Sequence, residues 1–200
     1  MLSIRKCGHK ELERYYQLFE MDFDSREMLP KLAVHKALTN GSMELLAVVD
    51  EESKMDLAFA LVATKSLYGY VLLKYLSVMP WCREQGIGIE SMRLINKRYA
   101  GRQGIIAELT EYPEDEPQRR RKLQRFLARF GYVEAESDYR IGGGDALVMI
   151  KPIRGSAELE PVLHRVIADF YSRFLSPFAM NRLVDIRPVK KTAEETKKKA

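Results

Sequence analysis

Cysteine is nearly absent. Cys7 and Cys82 are the only two in 200 residues, too few for a disulfide framework or a thiolate zinc cluster. Histidine is almost as scarce: His9, His35 and His164 are scattered without ligand spacing, so no metal site is expected. No apolar run approaches the ~20 residues that span a bilayer. The opening "MLSIRKCGHKELERYY" is broken by charge at once, which argues against a secretory signal. These gaps lead to the expectation of a cytoplasmic protein without membrane contact.

Acidic charge is also in short supply, since the net charge is +5. That excess is local. Residues 187–200, "RPVKKTAEETKKKA", hold six Lys/Arg against two Glu, which is +4 of the total. A terminal charge run of this kind is expected to be a solvated, disordered tail. Nucleic acid therefore ranks last among the partners considered, and would show itself by steeply salt-dependent binding through the tail.

What is present is a patterned, 46% hydrophobic chain, ample for a core of its own. "MLSIRKC" alternates like a short strand, and Leu12, Tyr15, Tyr16 and Phe19 recur at helical spacing. A second helix is expected through "REMLPKLAVHKAL", with Pro30 in its first turn. Asn40-Gly41 marks a turn into "MELLAVVD" (43–50), which with "MDLAFALVA" (55–63) reads as an antiparallel hairpin. "YVLLKYLSV" (70–78) is a third apolar run, followed by a helical pattern over 87–100 and a buried strand "GIIAELTE" at 104–111. "EDEPQRRRKLQRFLARFGY" reads as a helix stopped by Gly131, and "YVEAESDYRI" with "DALVMIKP" as a last hairpin. The order β-α-α-β-β-β-α-β-α-β-β describes a mixed α/β domain over 1–152. Beyond it, "ELEPVLHRVIADFYSRFLSPF" is an amphipathic helix with one apolar face. That face is expected to pack on the domain, with a homodimer interface as the alternative. The chain thus divides into 1–152, a helical extension over 153–186 and the basic tail 187–200.

The stretch "YLSVMPWCREQGIGIESMRLINKRY" (75–99) carries the chemistry. A strand-like run stops at Pro80, and then Arg83, Gly86 and Gly88 precede a helix. A plain strand-to-helix turn would need a glycine for the bend. A dinucleotide fingerprint fails at its third glycine, which is Ser91, and no Gly-Lys-Ser/Thr follows for a P-loop. Bare amides at a helix start can instead bind an anion, helped by the helix dipole.

The pattern Arg-x-x-Gly-x-Gly after an apolar strand resembles motif A of the GNAT superfamily, the acetyl-coenzyme A-dependent N-acetyltransferases. The element order over roughly residues 3–151 is similar to that family's as well. The resemblance implies a mostly antiparallel sheet flanked by helices. It also implies acetyl-CoA as acyl donor, its pyrophosphate held by main-chain donors from Gln85 through Gly86, Ile87 and Gly88 to Ile89, with Arg83 opening the motif. Its pantetheine arm would run along the main chain from Leu76 to Val78. The basic run 118–122, centred on Arg120, is the candidate for the remaining phosphate. "KLQRFLARFGY" resembles the family's fourth-helix ending at Phe126, Gly131 and Tyr132, but Leu127 stands where a tyrosine often serves as general acid.

Acetyl transfer to an amine needs a neutral nitrogen, and a lysine-like amine titrates near pH ~10.4. Glu108 lies inside an apolar run, where a carboxylate needs a reason to be buried. It is the candidate base, acting through water or as an anchor for a cation, and the competing reading is a satisfied structural glutamate. Glu111 lies at the strand's end, on the opposite face, as a substrate-side candidate. Tyr139 is the candidate substitute acid, with Tyr132 behind it. Asp22 and Phe23, after the first helix, fall where GNAT folds take the acceptor. The acceptor is expected to be a small-molecule or protein amine. The missing tyrosine at 127 leaves a second reading open, a module that binds acyl-coenzyme A without catalysis.

Overall fold

The computed structural model describes residues 1–111, 118–154 and 162–187. The expected periodicities place the elements closely. Strands β1 (Leu2–Lys6), β2 (Met43–Asp50), β3 (Asp56–Ala63) and β4 (Tyr70–Val78) follow one another antiparallel. Helices α1 (Leu12–Asp22) and α2 (Lys31–Thr39) separate the first two strands. Then come α3 (Ile87–Arg98), β5 (Gly104–Glu111) and α4 (Arg119–Ala128). The chain ends in β6 (Val133–Ala135), β7 (Asp138–Ile141), β8 (Gly144–Pro152), α5 (Leu163–Ser172), α6 (Pro177–Leu183) and β9 (Val184–Arg187).

One nine-stranded sheet runs β1-β2-β3-β4-β5-β8-β7-β9, with β6 also on β8. Because both faces are covered, its central strands are mostly apolar on both faces instead of alternating with polar residues. Leu45, Ala47, Phe59 and Leu61 point into one apolar cluster, with Tyr15 and Phe19 of α1, Val34 of α2 and Phe170 of α5. Leu46, Ala60, Val62 and Ile105 point into the other, with Met92 and Ile95 of α3 and Leu127 of α4. The architecture is mixed α/β with a large, mostly antiparallel sheet. Among the described residues, the sole parallel neighbours are β4 and β5.

Three expectations need correction. The second helix starts only at Lys31, because Pro30 has an extended backbone and acts as its N-cap. "YVEAESDYRI" is two strands, not one, with Glu136 and Ser137 between them. The C-terminal helix is shorter than its apolar pattern and is followed by two further elements. Ser176 caps α6 by accepting the Ala179 N–H, with Pro177 in its first turn, and β9 extends the sheet beside β7. The apolar residues from Leu163 to Leu175 pack inside the chain, as expected. The tail beyond Arg187 and the acidic residues before α4 lie outside the described residues.

The β7–β8 turn is pressed against the α1–α2 loop. A Cβ on Gly142 would lie 2.1 Å from the Arg26 carbonyl oxygen, and its φ is +57. Its N–H donates to the Leu183 carbonyl at 2.8 Å, so one residue ties loop, turn and α6 together. Gly143, with φ +85, has open space around it. Gly142→Ala is therefore expected to destabilise the protein well beyond Gly143→Ala, which carries only the left-handed backbone penalty of about 1–2 kcal/mol. Urea unfolding of the two variants measures the difference, and equal midpoints would mean that the loop yields freely.

Candidate functional site

Strands β4 and β5 pair only from Tyr70↔Gly104 to Leu73↔Ala107. Beyond that point they separate, each still held on its outer side, β4 by β3 and β5 by β8. The separation starts at an irregularity. On β3, Leu61 pairs with Tyr75 and Val62 with Leu73, so Lys74 is an extra residue on β4, a bulge. Facing it across the gap is Glu108, the first β5 residue without a β4 partner.

Lys74 and Glu108 form an ion pair at 3.0 Å with side chains only 1% and 2% exposed. Tyr171 of α5 donates to Glu108 Oε2 at 2.8 Å, and Tyr139 of β7 donates to Oε1 at 2.6 Å. Burial acts against the Lys74 charge, but Glu108, Tyr171 and Glu27 outweigh it and hold its pKa above the ordinary lysine value. Burial, reinforced by the Glu108 charge, pushes both phenols well above their usual range. The carboxylate thus already accepts three hydrogen bonds, and of the two readings of Glu108 the satisfied one describes its surroundings. Tyr139 has its hydroxyl committed to Glu108 and does not line the cavity described next.

The gap between the strands is a cavity of about 290 Å³. Leu73, Leu76 and Val78 of β4, Met92 of α3, and Leu123, Phe126 and Leu127 of α4 make it apolar. Lys74, Glu108, Glu27 and Arg119 bring ionisable groups to it. Thr110 lines it too, and its buried Oγ1 has no hydrogen-bond partner among the described residues. Leu76 and Val78 thus both line the cavity.

Gly88, at the start of α3, also lines the cavity, and a Cβ there would make only ordinary contacts with Val78 and Phe126. Its lack of a side chain serves access, not packing. Gly86 has the opposite reason, a φ of +79 as the residue before the helix. With Glu84 also left-handed at φ +65, the main chain winds tightly into the helix. Among the described residues no acceptor satisfies the N–H groups of Glu84, Gln85, Gly86, Ile87 and Gly88, whereas Ile89 donates to the Gly86 carbonyl. Successive unpaired amides ahead of a helix dipole form an anion cradle. Ile89 therefore drops out of the donor set.

The charged candidates are distributed differently from expectation. Arg83 grips Asp22 through both carboxylate oxygens, at 2.6 and 2.9 Å, and donates to the Val78 carbonyl at 3.1 Å. Ser77 completes the hold on Asp22. Arg83 and Asp22 are therefore a brace between α1 and the end of β4, and Asp22 is not open to a cationic substrate. The Gln85 side chain donates to the Trp81 carbonyl. Arg120 pairs with Glu111 at 2.6 Å, and neither lines the cavity. The arginine that does is Arg119, which also donates to the Asp22 carbonyl at 3.2 Å. Phe23 lines the cavity and packs on Tyr75. Burial pushes the Cys82 thiol up, leaving it an inert bystander. Among the described residues no group of three or more His, Cys, Asp or Glu could hold a metal ion, and no helix is long and apolar enough to cross a membrane.

The overall fold is shared with solved structures. NAA60 of Arabidopsis thaliana, in complex with a bisubstrate analogue, superposes with a TM-score of 0.58 at 17% identity, over 78% of this chain and 100% of that one. The chain has the GNAT fold. The ribosomal-protein-S18-alanine N-acetyltransferase of Escherichia coli gives 0.55 at 17% identity, over 79% and 97% of the two chains. A GNAT-family protein from Bacteroides thetaiotaomicron gives 0.64 at 14%, over 84% and 96%. No family model matches the sequence, and no curated protein matches it either. The likeness is therefore one of fold.

Residues legible only in three dimensions are Lys74, Tyr171, Arg119 and Glu27. Of these Lys74 left a trace in the sequence, as the one charge inside "YVLLKYLSV". Removing one member of a buried pair leaves the other uncompensated, typically costing about 3–5 kcal/mol. Lys74→Met is expected to lose that much, and Lys74→Met combined with Glu108→Leu to recover most of it, as read by denaturant unfolding. The raised pKa values set the alkaline limit. A lysine or tyrosine held above its unfolded value contributes fully below that value, near pH ~10, and loses the contribution above it. Stability should therefore stay level up to about pH 10 and then fall together with the appearance of tyrosinate absorbance. Phenols that ionise without unfolding would contradict the burial of Tyr139 and Tyr171.

Proposed function

We propose that the protein is an N-acetyltransferase that transfers acetyl from acetyl-CoA to a primary amine within a ternary complex. The observation that carries this is the combination of an unpaired amide cradle with an apolar cavity opening between β4 and β5. Acetyl-CoA supplies the activated acetyl thioester. The N–H groups from Glu84 to Gly88 would hold its pyrophosphate, helped by the α3 dipole. The inner edge of β4 from Leu76 to Val78 would receive the pantetheine arm, and the orphaned Thr110 hydroxyl offers a polar contact within reach of the same cavity. Arg119 takes the place that the sequence reading gave to Arg120. Leu123, Phe126 and Leu127 would exclude water from the thioester, so catalysis would rest mainly on positioning and main-chain donors.

Solved neighbours of the fold include a complex of NAA60 with acetyl-CoA and a variant of the spermidine N-acetyltransferase SpeG of Vibrio cholerae, with a TM-score of 0.56 at 12% identity over 74% of this chain and 92% of that one. Together with the alanine N-acetyltransferase they frame the acceptor as a polyamine or a protein amine. In this reading residues 1–152 form the catalytic domain, and α5 completes it by buttressing Glu108. A second reading, a module that binds acyl-coenzyme A without turnover, is favoured by Leu127 and by the saturation of Glu108. Turnover on an amine panel separates the two.

Gly88→Asp places a carboxylate beside the cradle at a position whose backbone tolerates a side chain. Coenzyme at about 100 times its dissociation constant stabilises the native state by roughly 2.7 kcal/mol, about 5–10 °C for a chain of this size. The wild type is expected to show that shift with acetyl-CoA, and the folded Gly88→Asp variant none. A folded wild type without a shift at saturating coenzyme would remove the acetyltransferase reading.

A further inference from the structure

Three of the ionisable groups lining the cavity are engaged elsewhere. Lys74 and Glu108 pair with each other, and Arg119 donates to the Asp22 carbonyl. Glu27 is the fourth, and it differs. It is only 7% exposed, yet among the described residues its carboxylate accepts a single hydrogen bond, from the Asp24 N–H to Oε1 at 3.3 Å. Buried carboxylates ordinarily carry several donors or a cation. Lys74 feels the Glu27 charge, but its ion pair is with Glu108.

The loop that bears Glu27 is held by its main chain. The buried Tyr75 hydroxyl donates to the Glu27 carbonyl at 3.0 Å and accepts the Leu29 N–H at 2.8 Å. Tyr16 donates to the Leu29 carbonyl at 2.6 Å, and Gly142 abuts the Arg26 carbonyl on the other side. The carboxylate is therefore fixed by its backbone and accepts a single hydrogen bond at its oxygens. A rigid support with an open functional group is how a reactive side chain is preorganised.

We propose that Glu27 receives the acceptor amine, binding it as an ammonium and taking its proton; this rests on the acetyltransferase reading above. The ammonium gives one proton to the Glu27 carboxylate, and the neutral nitrogen bonds to the thioester carbonyl carbon. The carbon–sulfur bond then breaks, the second nitrogen proton passes to the departing thiolate, and Glu27 releases its proton to solvent. An amide and a free thiol result, and the acceptor class is a cationic primary amine. The role assigned by sequence to Glu108 moves to Glu27, while Glu108 and Lys74 hold the strands that frame the site.

The test compares the full chain with Glu27→Gln, which keeps size and burial. Three readouts are taken: the acetyl-CoA thermal shift, thiol release with a panel of primary amines (polyamine, lysine peptide, free peptide amino terminus), and thiol release with hydroxylamine, which is neutral at assay pH. The variant is expected to keep the thermal shift, to lose about 100-fold or more in kcat/KM with primary amines, and to stay within a few-fold of wild type with hydroxylamine. Equal losses with both nucleophiles, or no loss with amines, would overturn the proposal. A wild type that binds acetyl-CoA but turns over no amine overturns it too, while leaving the coenzyme site standing. A wild type without a thermal shift refutes the parent reading instead. If Glu27→Gln does not fold, Glu27→Asp serves, with a smaller loss that hydroxylamine must again relieve.

Discussion

The buried pair between Lys74 and Glu108 is the constraint on which the rest of this structure depends. Burying a carboxylate and an ammonium costs several kcal/mol per ion even after relaxation. Four elements share in offsetting it: β4 and β5 bring the charges, β7 brings Tyr139 and α5 brings Tyr171. The pair stands at the point where the two strands part. It occupies the width that a continued ladder would have closed, and the bulge at Lys74 turns that residue toward its partner. Since Tyr171 lies beyond the domain boundary drawn from the sequence at 152, the C-terminal segment is part of the frame around the gap and not an ornament on it.

The open end of the gap works by a different physics. There the useful groups are main-chain N–H donors, and the side chains nearby are occupied with holding the loop. Arg83 is the clearest case, since a guanidinium clamped on both oxygens of Asp22 has surrendered its charge to a brace. Gly86 supplies the left-handed turn and Gly88 the bare surface, two needs met by one residue type for separate reasons. A motif that looks like a set of ligands is largely a device for presenting backbone.

The strands from 43 to 78 and from 104 to 111 were legible because an apolar run of fixed length bounded by turn residues has few other solutions. Pairing was not legible. Nothing in one sequence says that the lysine in "YVLLKYLSV" meets the glutamate in "GIIAELTE", because their contact depends on a bulge of one residue. For the same reason Arg119, and not the expected Arg120, lines the cavity: adjacent residues on a helix point about 100° apart, and the periodicity of "QRRRK" does not say which arginine faces inward. The strand β9 was missed because its first three residues fall in the helical extension read over 153–186 and Arg187 opens the basic run read as a tail.

In the proposed reaction Leu127 bears on where the protons go. On α4 the cavity is walled by Leu123, Phe126 and Leu127, none of which can donate or accept, while Arg119 at the start of the same helix donates to the Asp22 carbonyl. A thioester held against that wall would be dry, which favours attack by an amine over hydrolysis. In the proposed reaction proton traffic then falls to the side of the α1–α2 loop, which carries Glu27 on a backbone fixed by Tyr75 and Tyr16. The leucine that looked like a defect in the motif and the under-bonded glutamate in the loop are two sides of one arrangement, an apolar donor half facing a carboxylate-bearing acceptor half across the gap held by Lys74 and Glu108.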